Sequence, residues 1–248
     1  MTKQIYLLVA LMLLGIAGSA QVKIHSHNDY THQKPFYDAS ANRVFSIEAD
    51  VFVVGDSLIV AHSRKEIKEK NTLQKLYLEP IAAFAKTDKF YSFQLMIDFK
   101  DSWDLTYPVL LKALKPYQKY FVRGNKKVTI AISGNRPPDS TFRNYTDVSF
   151  DGLPNVDYAP SDLRKITMIS DNFATYSKWK GVGAIADSDK AKLKELINNA
   201  HKIGKPFRFW NAPDTEACWK LLQELGADII NTDKVAEARK YFSMTNRQ

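Results

Sequence analysis

Eight short apolar runs, rich in β-branched residues, punctuate the chain: VKIHS (22–26), FSIEADV (45–51), FQLMIDF (93–99), VTIAIS (128–133), DVSFDG (147–152), KITMIS (165–170), PFRFW (206–210) and ADIINT (227–232). Each has the length of a strand, and their near-continuous hydrophobicity suits strands buried on both faces. Between most of them the apolar period changes to that of a helix. TLQKLYLEPIAAFAKT (72–87), DLTYPVLLKALKPYQKY (104–120), SDKAKLKELINNAHKIG (188–204) and DTEACWKLLQELG (214–226) are the clearest such segments. For the last two, Ser188 and Asp214 are the expected N-caps, and Gly204 and Gly226 the expected C-terminal stops.

Strands alternating with helices predict a parallel sheet covered by helices, and eight strands predict a closed α/β architecture, a single (β/α)8 TIM-type barrel. The chain is slightly short for that fold, which predicts reduced or missing helices after the first and fifth strands. FVVGDSLIVAH (52–62) predicts a hairpin extension turning at Gly55-Asp56. An open doubly wound sheet is the competing architecture. It is disfavoured because no glycine-rich phosphate loop follows the first strand.

The N-terminus changes the picture of where the protein works. Residues 1–20, MTKQIYLLVALMLLGIAGSA, have the form of a secretory signal peptide: Lys3, an apolar stretch from Ile5 to Ile16, and small residues Gly18 and Ala20 before the expected cut. This predicts one mature domain, residues 21–248, secreted or periplasmic. Cys218 is the only cysteine, so no intrachain disulfide can form, which favours a bacterial exported protein over a eukaryotic one. The formal charge of +8 favours anionic partners. The lysines are scattered without an aromatic-lined stripe, which argues against nucleic acid. Nothing points to an obligate protein partner.

In a parallel barrel the reacting groups belong at the C-terminal ends of the strands. The first strand ends in His25-Ser26-His27-Asn28-Asp29, the second carries Glu48 and Asp50, the hairpin returns to His62, and the third strand ends in Asp98-Phe99-Lys100. Glu48 and Asp50, at i and i+2, point the same way out of an apolar strand. Two like charges held together need a cation or a proton. A hard divalent ion, Mg²⁺ or Ca²⁺, suits carboxylate and amide oxygens. Asp98 offers a third carboxylate and Asn28 an amide oxygen, and Lys100 would lie beside a phosphate. Two histidines flanking such a cluster suit phosphodiester cleavage, where one group takes a proton and another returns one. Trp210, at the end of the seventh strand, is a candidate for packing on a substrate headgroup, although burial among barrel-top aromatics is the simpler expectation.

HSHNDY, IEADVF, LIVAHS and MIDFK, in this order and at these separations, resemble the phosphatidylinositol-specific phospholipase C-like phosphodiesterase superfamily. The similarity is greatest to the group typified by altered inheritance of mitochondria protein 6, and LGADIINTDKV resembles the superfamily's last strand. The resemblance implies His27 and His62 as the acid/base pair, Glu48, Asp50 and Asp98 as metal ligands with Asn28 as a further candidate, and Lys100 as a phosphate contact. His25 is expected in a supporting position and His32 on a loop. The chain departs from glycerophosphodiester phosphodiesterases in having HND where they carry HRG, and in lacking their Pro-Glu-Asn-Thr motif and inserted subdomain.

The expected activity is that of a phosphoric diester hydrolase, dependent on one divalent cation and acting on a glycerophospho- or inositol-phospholipid type diester. The partner would be a soluble diester or a lipid headgroup at a membrane surface. A non-catalytic module binding a phospho-ligand or glycan on the same barrel is the alternative. A metal-dependent hydrolase of the amidohydrolase type is disfavoured, because His201 is the only histidine after His62.

Overall fold

A computed structural model describes residues 22–245; the signal peptide expected over residues 1–20 lies outside the described residues. All eight apolar runs form parallel strands: β1 (Lys23–Ser26), β2 (Ser46–Val54), β4 (Phe93–Phe99), β6 (Lys126–Gly134), β7 (Ser149–Gly152), β8 (Ile166–Asn172), β9 (Phe207–Trp210) and β10 (Ile229–Thr232). Neighbours pair in the order β1-β10-β9-β8-β7-β6-β4-β2, and β1 also pairs with β2, which closes the barrel. Two antiparallel additions complete the set. β3 (Ser57–Val60) folds back on β2 through the Gly55-Asp56 turn, and β5 (Val122–Arg123) pairs with β6.

Register decides what faces the barrel axis. Ser46, Glu48 and Asp50 of β2 stand opposite Gln94, Met96 and Asp98 of β4. These alternate with Ile47, Ala49 and Val51, which are fully buried beneath the helical layer. Met96, Met168 and Ile229 form an apolar cluster of their own, with Phe45 against it. A larger shell of aromatic and aliphatic side chains joins the strands to the helices. Among the described residues no helix is long and apolar enough to cross a membrane.

The connections after β1 and β7 are short, as expected. A helix of five residues, Tyr37–Ala41, follows β1, and one of four, Pro160–Leu163, follows β7. The connection after β6 is also reduced, to the 3-10 turns of Asp139–Asn144. The helix expected over 104–120 runs from Trp103 to Leu114 and stops before Pro116, which cannot continue it.

Two expected caps are corrected. The helix Asp187–Lys202 starts one residue before Ser188, with Ala186 at the N-cap position and Asp187 and Asp189 in the first turn, where carboxylates favour the helix dipole. The helix Glu216–Leu225 is capped by Thr215, whose Oγ1 accepts from the Cys218 amide. Asp214 is occupied elsewhere: it accepts hydrogen bonds from Trp219 Nε1, Thr232 Oγ1 and the Asp233 amide. Gly226 ends that helix in the left-handed conformation, as predicted.

Candidate active site

The C-terminal ends of the strands surround a cavity of about 390 Å³, lined by His27, Asn28, Glu48, Asp50, His62, Asp98, Lys100, Ser133, Gly134, Arg136, Asp151, Leu153, Arg208 and Trp210. Every site residue expected from the sequence is in that lining. A larger cavity of about 610 Å³ lies at the start of β1, at the other end of the strands, and is lined by Lys23, Arg43 and Arg239 with no carboxylate or histidine. The titratable candidates gather in the smaller one.

Glu48, Asp50 and Asp98 each offer an oxygen within 4.8 Å of the others, so one cation can touch all three. Asp50 is buried, and its Oδ1 has no hydrogen-bond partner. Burial and the nearby charges of Glu48 and Asp98 push Asp50 up to about 6, against the opposing pull of Lys100. Lys100 Nζ is 2.9 Å from Asp50 Oδ2 and 2.8 Å from Asp98 Oδ1. Burial works against that ammonium, but Asp98 and Asp50 hold its pKa up at about 12. One ammonium shared by two carboxylates leaves the group short of positive charge, and the orphaned Oδ1 marks where that shortage falls. The donor set, all oxygen, fits a hard divalent cation.

Glu48 differs because its compensation comes from below. Arg208 Nη1 lies 3.3 Å from Glu48 Oε2, and His25 Nε2 lies 2.6 Å from the same oxygen. Burial opposes ionisation of Glu48, but the hydrogen bond to His25 and the positive charge of Arg208 outweigh it and hold the carboxyl low. Burial first, and then Arg208, lower His25 to about 4, so the imidazole is neutral. Arg208 also reaches Asp151 Oδ2 at 3.1 Å and Ser170 Oγ at 3.0 Å, and Ser170 donates to Asp151 Oδ1. His25 therefore supports Glu48 from the barrel interior.

The two candidate proton carriers occupy different settings. His27 Nδ1 is 2.8 Å from Asp233 Oδ1, a contact that places the proton on Nδ1 and leaves Nε2 as acceptor. Asn28 follows in the left-handed conformation, φ 44°, which asparagine tolerates, and this turn starts the Asp29–Thr31 segment. Tyr30 then reaches back: its hydroxyl is 2.7 Å from Asn28 Oδ1, 2.9 Å from Asp50 Oδ2 and 3.4 Å from His62 Nδ1. Burial and the Asp50 charge push the Tyr30 phenol far up, so it stays a donor. His62 is the more open histidine, with Nδ1 3.5 Å from Asp50 Oδ2. Gly134 must lack a side chain, because a Cβ there would come within 2.8 Å of Asp98 Oδ1.

Lys100, the expected phosphate contact, lines the cavity with its Nζ against Asp50 and Asp98. Trp210, for which burial was the simpler expectation, is 41 % exposed on the cavity rim. His32 is on the loop after Thr31 and donates Nε2–H to the Asp233 carbonyl. His201 pairs with Asp228 near its helix end. Sequence reasoning missed Arg208, Asp151, Tyr30 and Arg136. The signal for the first two was present: a charge inside an apolar strand, in FRFW and SFDG, the same criterion that singled out Glu48.

The chain resembles known phosphodiesterase-like proteins. Residues 16–90 match the AIM6-like phosphodiesterase domain, and residues 206–236 match the glycerophosphoryl diester phosphodiesterase family. The chain is similar to the altered inheritance of mitochondria protein 6 homolog of Arthroderma benhamiae, with 27 % identity over 91 % of this chain and 85 % of that one. The corresponding protein of Eremothecium gossypii is 28 % identical over 88 % of this chain and 69 % of its own length. Among solved structures, a glycerophosphodiester phosphodiesterase from Parabacteroides distasonis superposes with a TM-score of 0.62 at 14 % identity, covering 92 % of this chain and 99 % of that one. A calcium-dependent phosphoinositol-specific phospholipase C from Pseudomonas gives 0.59 at 12 % identity, covering 88 % and 90 %. At such identities the structural likeness carries the fold.

Proposed function

This chain belongs to the phosphatidylinositol-specific phospholipase C-like phosphodiesterase superfamily, and from that premise we propose that it is an exported, metal-dependent phosphoric diester hydrolase acting on a glycerophospho- or inositol-phospho-type diester. One observation carries the reading: Glu48, Asp50 and Asp98 converge within 4.8 Å in the cavity that His27 and His62 also line.

Glu48, Asp50 and Asp98 would hold Mg²⁺ or Ca²⁺, with the Asn28 amide oxygen as a further ligand, and the bound ion would supply positive charge to the phosphoryl oxygens and to the nucleophile. His27, oriented by Asp233, takes the proton of the attacking hydroxyl or water at Nε2. His62, at the open edge, gives a proton to the departing alkoxide oxygen. If the attacking hydroxyl belongs to the substrate, the first product is a cyclic phosphate. Lys100 and Arg136 supply the remaining cations for the phosphate, and Trp210 offers its exposed ring to the headgroup.

A second reading has one specific observation behind it. Lys100 already bridges Asp50 and Asp98, as the resident cation of a module that binds phosphate without cleaving it would. Turnover of bis(4-nitrophenyl) phosphate and of a panel of glycerophospho- and inositol-phosphodiesters, with and without chelator, separates the two. Hydrolysis that chelator abolishes, that Mg²⁺ or Ca²⁺ restores and that His27→Ala removes is the expected result. Absence of turnover on every diester with either ion overturns it.

A further inference from the structure

The cavity of about 610 Å³ at the other end of the barrel has a lining of one charge sign. Lys23 opens β1, Phe45 precedes β2 and Ser92 precedes β4, so the space sits at the strand starts. It shares no lining residue with the cavity that holds Glu48, Asp50 and Asp98. Lys23, Arg43 and Arg239 come from distant parts of the chain and meet around it. None of the three has a carboxylate partner among the described residues. A concave space with a few convergent polar groups is the form of a small-molecule site.

Each cation is positioned by something other than an acid. Lys23 Nζ lies 4.7 Å from the centre of the Phe45 ring, and the Arg43 guanidinium lies 4.7 Å from that of Tyr91. Arg239, on the helix Val235–Thr245, donates from Nε to the Asn42 carbonyl at 2.8 Å and from Nη2 to the Arg43 carbonyl at 2.7 Å. Those bonds leave Nη1 without a partner among the described residues. They also hold a turn that is costly by itself. Arg43 has φ 49°, in the left-handed region that asparagine or glycine enters more readily. Backbone strain of this kind marks a position where the side chain is put to use. Burial lowers the pKa of Arg239; Tyr91 opposes that shift, and the Arg43 charge adds to it. An anion between the two guanidinium groups would relieve their repulsion.

A smaller cavity of about 260 Å³ adjoins this one. The two share Phe45 and Ser92, and the smaller continues over Phe93, Thr129 and Thr167 with no carboxylate in its lining. We propose that the strand-start end of the barrel is a second ligand site, which takes an organic phosphate. The phosphate lies among Lys23, Arg43 and Arg239, and its apolar substituent crosses Phe45 into the smaller cavity. Three unpaired cations match a doubly charged phosphate monoester better than a single carboxylate, and a guanidinium fork suits phosphate oxygens. The site does not rest on the hydrolase reading.

The test is titration calorimetry of the purified chain with phenyl phosphate and with inorganic phosphate, in the presence of chelator. Wild type is expected to bind phenyl phosphate about tenfold or more tightly than inorganic phosphate, because the ring leaves water. Its melting temperature should rise with added phenyl phosphate. Lys23→Gln with Arg43→Asn should weaken that binding by about tenfold or more, as loss of two charged contacts implies. This variant should keep the melting temperature of the unliganded chain, because asparagine accepts the φ of 49°. Arg136→Gln, in the other cavity, should leave the affinity for phenyl phosphate unchanged. No binding of phenyl phosphate by wild type, or full binding by Lys23→Gln with Arg43→Asn, overturns the site. Binding that Arg136→Gln abolishes overturns it too, and assigns the anion to the other end of the barrel. Equal affinity for the two probes overturns the apolar half of the ligand.

Discussion

Lys100 holds its Nζ 2.9 Å from Oδ2 of Asp50, while Oδ1 of the same carboxylate is buried with no hydrogen-bond partner. One side of Asp50 is thus satisfied by a tethered cation and the other by nothing among the described residues. A divalent ion entering among Glu48, Asp50 and Asp98 would compete with Lys100 for the same oxygens. Lys100→Met should therefore bind Ca²⁺ or Mg²⁺ more tightly, by about tenfold in titration calorimetry, equivalent to about 1.4 kcal/mol. In chelator the variant should be less stable than wild type, by about 1–3 kcal/mol, because buried carboxylates lose their partner. Added divalent ion should close that gap. Unchanged metal affinity would show that the ion and the ammonium use different oxygens.

His27 and His62 should be separable from the metal ligands. Neither histidine is required for the carboxylates to converge, so His27→Ala and His62→Ala should each lower kcat by roughly 10²–10⁴-fold with metal affinity intact. Asp233→Asn removes the carboxylate that orients His27 and should lower kcat by about tenfold while KM stays near its original value. A variant of either histidine with wild-type kcat would remove that histidine from the chemistry.

The barrel was legible because parallel strands buried on both faces leave near-continuous apolar runs, and all eight did so. Glu48 and Asp50 were legible for the same reason, as charges inside such a run. Arg208 and Asp151 carry that signal too, but each is a single charge in its strand, and their pairing appears only when β7, β8 and β9 stand side by side. The role of Tyr30 depends on the left-handed turn at Asn28, which residue pattern does not reveal. The contact between His27 and Asp233 depends on β1 closing against β10. The helix caps were misplaced, by two residues at Ala186 and by one at Thr215, because Asp187 and Asp189 suit a first turn as well as Ser188 suits a cap, and Thr215 caps as well as Asp214.

His32 makes folding stability depend on pH. The buried Asp29 carboxylate, with Oδ1 3.5 Å from Nδ1, opposed by burial and helped by the Asp233 carbonyl and the charge of Asp38, raises His32 to about 9. The folded pKa is above the unfolded one near 6.5, so protonation favours the fold. That contribution is complete below about pH 6.5 and is lost as pH rises through about 9. His32→Gln should cost about 2 kcal/mol at pH 6 and much less at pH 10, read as the gap between the two melting curves. A gap that stays constant across that range would show that His32 stays neutral in the fold.

Arg208 offers the sharpest contrast between support and catalysis. It is buried, and its guanidinium joins Glu48 and Asp151, carboxylates of β2 and β7 that approach opposite sides of the cavity floor. Arg208→Met keeps most of the volume and leaves two buried acids without their cation. Removing one partner of a buried ion pair costs about 3–5 kcal/mol, so the melting temperature should fall sharply. Adding Asp151→Asn neutralises one of the stranded acids and should recover part of that loss, which an effect of volume alone would not allow. Activity should not recover in step, because Glu48 would still lack the charge that keeps it ionised and in place for the metal. If Arg208→Met with Asp151→Asn regained full turnover along with stability, Arg208 would be a packing residue only, and the orientation of Glu48 would have to come from His25.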